Sequence, residues 1–237
     1  NWNEIPRLRN RVPLPDPVND GFIQRITSRV LRFSHDYLPR PTWLNNLALG
    51  YNRFRNPAGT RSFGGDWPAK LGLQGVPGSM FPTLTFTNGY VTWGSSGFSD
   101  NIDQTYFLKD AATFTGGRHI LKFGAEVRWN QLNDRSQSNT SGTYSFNSLG
   151  TGLPGNTATG DGFASFLLGE VHSGSLNFPS TTGTRRPYWG FFAQDDFRAT
   201  PRLTLNLGLR FEFEQAPYEA ADRYSTLDLS APNPGAG

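Results

Sequence analysis

His35, His119 and His172 are the only imidazoles in the chain, and they are widely separated. A metal site or a catalytic triad needs histidine in close partnership with a carboxylate, a second ligand or a nucleophile. The sequence contains no H-x-x-x-H, H-E-x-x-H or G-x-S-x-G spacing. Gly94-Ser95-Ser96-Gly97 falls one residue short of that last elbow. Cysteine is absent, which excludes thiolate metal sites and a disulfide framework. His119 opens a strand-like segment beside a turn, where an interfacial polar role is expected. Gly150-Thr151-Gly152-Leu153-Pro154-Gly155 matches G-x-G-x-x-G, but a dinucleotide loop must leave a strand and enter a helix. Here a proline and a Gly/Asn/Thr-rich continuation predict a flexible loop. Asp100-Asn101-Ile102-Asp103 and Gln194-Asp195-Asp196 carry oxygens of the kind calcium takes, without the spacing of a calcium loop. Both are expected to be solvated loop acids or turn caps. Asn139-Thr140-Ser141 matches a glycosylation acceptor, a three-residue pattern expected to be incidental here. The expectation is therefore a protein that is not an enzyme, with no catalytic residue, no cofactor and no metal.

Composition limits the alternatives. Of 237 residues, 17% are charged and 14% aromatic, with 27 glycines and 17 prolines, a mixture suited to strands and turns. It is too aromatic for a disordered chain. The net charge is +3; only Lys70, Lys109 and Lys122 are lysines. The arginines are scattered, with Arg7, Arg9 and Arg11 the densest group, so no nucleic-acid partner is expected. No segment approaches the ~20 apolar residues of a membrane-spanning helix, which leaves membrane strands open. Asn1-Trp2-Asn3-Glu4 has neither an initiator methionine nor the features of a signal peptide, as in a processed product or a fragment.

The elements that could position anything are strands. From Leu203 to Glu214, Leu203, Leu205, Leu207, Leu209, Phe211 and Phe213 alternate with Thr204, Asn206, Gly208, Arg210, Glu212 and Glu214. That is period two, the signature of a strand with one apolar face. His119–Asn130 repeats it: Leu121, Phe123, Ala125, Val127 and Trp129 oppose Lys122, Glu126, Arg128 and Asn130. Residues 26–37, 43–54, 105–114 and 188–198 support the same reading less cleanly, with Asp110 interrupting the third. The six pair into three hairpins through connectors at 38–42, 115–118 and 199–202, each made of turn residues. Between hairpins run long links, 55–104 and 131–187, and a tail from Gln215. Short turns on one side and long loops on the other is the asymmetry of outer-membrane barrels. Within the links, 81–93 alternates Leu84, Phe86 and Tyr90 and is expected to belong to an external excursion. Residues 169–178 are open between membrane strand and loop. Asp161–Gly169 is expected to make a helical turn or two, with Asp161 as N-cap.

Phe192–Glu212, FAQDDFRATPRLTLNLGLRFE, resembles a signature hairpin of TonB-dependent outer-membrane transporters. GGRHILKFGAEVRW (Gly116–Trp129), GDGFASFLLG (Gly160–Gly169) and YNRFRNP (Tyr51–Pro57) are similar to the Oar-like branch, which carries a carboxypeptidase-regulatory-like N-terminal domain. The resemblance implies a barrel of about 22 strands, filled by a plug and energised through TonB. At ~10 residues per strand such a barrel needs about 220 residues before any loop is built. Residues 1–237 are therefore expected to be a partial barrel, without plug or C-terminal closing strand.

The fold class expected is all-β: an antiparallel meander of hairpins forming part of a large transmembrane β-barrel with long extracellular loops. The function expected is uptake of an unidentified ligand (oligosaccharide, peptide or metal chelate) at the bacterial outer membrane. Its partners would be outer-membrane lipid and, through the missing parts, the plug and the TonB system. Tyr90, Trp93 and Phe98 are candidate ligand contacts, and Trp129, Phe211 and Phe213 candidate membrane-girdle aromatics. The competing expectation is a soluble or surface-attached β-sandwich that binds carbohydrate. Polar strand faces suit either, since a hydrated lumen and the wet side of a soluble sheet have the same chemistry.

Overall fold

Three two-residue turns, Pro41-Thr42, Gly117-Arg118 and Pro201-Arg202, join the longest strands in pairs. Gly117 takes a left-handed φ of 58°, which a side chain would resist. The computed structural model describes residues 3–9, 14–19, 21–156, 158–225 and 230. In chain order the elements are β1 (Asn3–Arg9), β2 (Phe22–Arg40), β3 (Trp43–Thr60), α1 (Trp67–Lys70), β4 (Thr83–Phe86), β5 (Phe98–Gly116), β6 (His119–Ser136), β7 (Thr143–Phe146), α2 (Gly162–Leu167), β8 (Ser173–Ser175), β9 (Ser180–Thr200), β10 (Leu203–Glu214) and β11 (Tyr218–Glu219). A 3-10 turn, Ser148–Thr151, follows β7.

β1-β2-β3-β5-β6-β9-β10 form one antiparallel meander, and β11 pairs with β9. The sheet does not close on itself among the described residues. β4, β7 and β8 make a second sheet, in which β4 runs parallel to β7 and β8 antiparallel to it. All three expected hairpins are present, and every one of their strands except β10 is longer than the alternation indicated. Residues 55–60, 98–104, 131–136 and 180–187 continue as strand where links were expected. β1 is an unanticipated strand, paired along its whole length with Phe22–Ser28. Of the tail from Gln215, residues 226–229 and 231–237 lie outside the described residues.

The chain divides into two compact units. The first comprises residues 1–32, 50–104 and 133–181 and contains the small sheet, both helices and a core of Phe81, Leu84 and Phe146. Residues 81–93 do not join the long-strand sheet. β4 belongs to the small sheet, and Leu84 and Trp93 exchange backbone hydrogen bonds of 2.8 and 2.9 Å. Residues 169–178 likewise supply β8 to the small sheet. Asp161 caps α2 as expected, its carboxylate accepting from the N–H groups of Phe163 and Ala164. Gly160 precedes it at φ 89°, where an added Cβ would sit 2.0 Å from the Ser148 carbonyl oxygen, so only glycine fits.

The second unit comprises residues 33–49, 105–132 and 182–237. Beyond β10 the chain is fastened by Glu219, which is 4% exposed. Its carboxylate accepts from the N–H groups of Gly183, Ala221 and Arg223 at 2.7–2.9 Å. These amides, Arg223 first, hold its pKa below the usual glutamate value. A lowered folded pKa means the clamp is complete above the ordinary value and is lost as the pH falls through the lowered one. Glu219→Gln is expected to accelerate hydrogen exchange at Gly183, Ala221 and Arg223 at least about tenfold at neutral pH. Acidifying the unaltered protein should do the same, and unchanged protection in both would refute the clamp.

Candidate functional site

β10 pairs with β9 residue for residue beyond one irregularity next to the turn, so the two strands share faces. On one face lie Leu205, Leu207, Leu209, Phe211 and Phe213, opposite Phe197, Asp195, Ala193, Phe191 and Trp189. Leu203 to Phe213 are 41–77% exposed, Leu209 most of all. A soluble sandwich would cover such a face with a second sheet. From Leu203 to Phe213 the strand runs about 34 Å, or about 24 Å across a bilayer at a 45° tilt, which matches an apolar band of ~25 Å. Phe33, Tyr37, Leu49, Tyr106, Leu108, Phe114 and Phe123 extend the set of exposed apolar side chains.

Among the expected girdle residues, Trp129 is 37% exposed, Phe211 61% and Phe213 52%. Phe213 lies opposite Trp189, a further aromatic on the same face beyond the expected set. A second aromatic group at the short-turn end was also missed. Trp43 packs against Phe114 and Phe123 at ring separations of 6.2 and 6.0 Å, and His119 stacks on Phe197 at 4.6 Å. Their nearness to turns Pro41-Thr42, Gly117-Arg118 and Pro201-Arg202 was the signal available. His119 also bonds Asp195 at 2.7 Å, which gives it the polar role expected beside the turn.

The opposite face is laced with charge. Lys122 pairs with Asp196 at 3.6 Å, and Arg186 with Glu214 at 2.7 Å. Arg128 lies 4.9 Å from the Tyr188 ring centre and pairs with Glu126. Arg210 pairs with Glu212 and donates to the Tyr188 hydroxyl at 3.2 Å. The two acidic runs expected as solvated loop acids or turn caps are strand residues, the second of them within the 188–198 segment whose alternation already suggested a strand. Asp195 and Asp196 lie in β9, and Asp100–Asp103 in β5, where Asp100 takes a forked contact from Arg55. These partnerships are not legible in the sequence because the partners are 45 residues or more apart. Gly150 and Thr151 belong to the 3-10 turn Ser148–Thr151, and Gly150–Gly155 neither leaves a strand directly nor enters a helix, the arrangement a dinucleotide loop needs. Among the described residues no cluster of three or more His, Asp or Glu could hold a metal.

In the first unit, aromatic rings converge. Phe86 lies 5.4–6.4 Å from Tyr90, Trp93, Phe146, Phe163 and Phe166. Trp93 is packed into this cluster, whereas Tyr90 sits at its rim, 46% exposed. The Tyr90 hydroxyl donates to Asp161 at 3.3 Å, and the charge of Asp161 raises the phenol above its ordinary pKa. Asp161 thereby ties residues 88–93 to the start of α2. Phe98 stands apart from these two and stacks on Phe63 at 3.7 Å. The structure thus brings Tyr90 and Trp93 together and leaves Phe98 in another aromatic pair.

An antiparallel meander with an exposed apolar face, a charge-laced polar face and short turns on one side has the chemistry of a membrane barrel. No curated protein and no solved structure matches the chain. The family described as outer membrane beta barrel domain matches residues 6–236. This protein therefore belongs to the outer membrane beta barrel domain family, and its place is the bacterial outer membrane among membrane lipids.

Proposed function

We propose that this chain is barrel from a TonB-dependent receptor of the Oar-like branch, one that takes up a bulky ligand and performs no catalysis. The observation carrying the proposal is the folding of the long links. They build a small sheet and an aromatic cluster with Tyr90 at its exposed rim, beside the polar Asp161. Aromatic faces with nearby polar groups suit an oligosaccharide, a peptide or a metal chelate captured by extracellular loops. The charged strand face suits a hydrated lumen holding a plug. Among the described residues β1 and β10 end the sheet, and because a bilayer does not tolerate open strand edges the proposal includes further strands that complete the barrel.

The test uses the full-length protein in detergent, titrated with the periplasmic domain of TonB. Maltoheptaose, a mixed decapeptide and a ferric hydroxamate are added in separate arms. Saturable TonB binding, tightened by one ligand class, is expected. No TonB binding in any arm would refute the reading.

A further inference from the structure

Asp110 interrupts the apolar alternation of β5, and within the second unit it stands where an acid is costly. Trp43 packs against Phe114 and Phe123, and Asn45 donates to Asp110 at 2.7 Å, so all five share one face. It is the face of Leu121, Leu207 and Leu209, which line one surface depression together. On β2, Asp36 accepts from Asn46 on the other face, which leaves His35 and Tyr37 on this one, stacked at 6.2 Å. At about 3.3 Å per residue and a 45° tilt, His35 and Asp110 stand about 14 and 16 Å from the turns at Pro41 and Gly117. Both are exposed, nearly level, and well inside an apolar band of ~25 Å. They are two strand spacings apart, about 10 Å, too far to meet within one chain. Asp195, on the same face, has His119 at 2.7 Å. Asp110 has only the Asn45 amide on one oxygen, and among the described residues His35 has only its stack on Tyr37. β1 pairs with Phe22–Ser28 and stops well short of His35.

We infer that this face joins two copies of the chain in the membrane, His35 of each donating a ring N–H to Asp110 of the other. Lipid tails offer a carboxylate no donor, so an acid at this depth needs a polar partner that lipid does not supply. Histidine at the same depth is the complement, and a second copy brings it. Two copies inserted with the same orientation are related by a two-fold axis along the membrane normal, which brings residues of equal depth together. With that axis over β3, midway between β2 and β5, the His35–Asp110 contact forms twice. That reciprocity is what a closed two-fold interface requires. Leu47 lies nearest the axis, and the exposed side chains of Tyr37, Leu49 and Leu108 surround it with apolar surface. The inference rests on the membrane placement alone and is independent of TonB or of any transported ligand.

The experiment is disulfide cross-linking of the full-length protein at low density in phospholipid vesicles. Residues 1–237 contain no cysteine, so one can be introduced as a reporter, with any cysteine elsewhere in the protein replaced. Leu47→Cys is expected to link two copies at least about tenfold faster than Leu207→Cys, which shares the face but lies on β10. Adding His35→Asp sets acid against acid and should abolish the link, and adding Asp110→His to that variant should restore it. Equal rates at the two reporter positions would mean random collision and overturn the proposal. So would a link that survives His35→Asp, or a swap that restores nothing. Asp110→Asn removes only the charge and decides the matter if the His35 variants do not fold. It is expected to slow linking at Leu47→Cys at least about tenfold, and an unchanged rate would overturn the contact.

Discussion

Leu209→Arg is expected to destabilise the full-length protein in phospholipid vesicles by about 2–4 kcal/mol, the cost of an arginine on a lipid face near the bilayer midplane. Leu209 is 77% exposed and lies near the middle of β10, between Leu207 and Phe211 on one face. Its exposure in water would make the substitution nearly neutral, so the effect is specific to lipid. Gly208→Arg supplies the control at the same depth on the opposite face. A side chain at Gly208 would meet Ala193 and Gln194 only at ordinary contact distances of 3.7–3.8 Å, and the charge would enter the polar network. Its cost is expected to stay below about 1 kcal/mol. Urea unfolding of both variants in vesicles measures the difference. Equal costs would mean that the alternation of β10 does not separate lipid from water.

Phe146→Ala is the second large effect, about 3–5 kcal/mol, confined to the first unit. Phe146 is 4% exposed, stacks on Phe86 at 5.8 Å and meets Phe166 edge-on at 5.2 Å. It is also the last residue of β7, in register with Phe86 across the parallel pair. Truncation leaves a cavity bordered by rings that cannot collapse into it without breaking that register. Near-UV circular dichroism should lose aromatic signal, and residues 137–179 should become sensitive to protease. Amides of β10 should keep their hydrogen-exchange protection. An unchanged aromatic spectrum would show that the cluster is not the core of the unit. If the cluster carries ligand recognition, Phe146→Ala should also abolish the tightening of TonB binding by ligand.

Much of this was legible in the residues themselves. The hairpins at Pro41-Thr42, Gly117-Arg118 and Pro201-Arg202 follow from local chemistry: turn residues flanked by strand-forming runs of period two. The N-cap at Asp161 is equally local, needing only a carboxylate two and three residues before the amides it accepts from. Lipid-facing and polar faces were separable on β6 and β10 because a strand's side chains alternate regardless of what pairs with it.

Tertiary structure decided everything that depends on residues distant in the chain. β1 has no clean alternation of its own and is a strand because Phe22–Ser28 offers it backbone partners. Residues 55–60 and 98–104 are polar and irregular, yet continue as strand because they pair with neighbours. Asp100, Asp195 and Asp196 could not be given partners until pairing brought Arg55, His119 and Lys122 alongside. The aromatic cluster draws on residues from Phe81 to Phe166, which the pairing of β4 with β7 brings together. The period of a strand can be read within its own dozen residues. A cluster, a pocket or an ion pair exists only once pairing has chosen which distant faces meet.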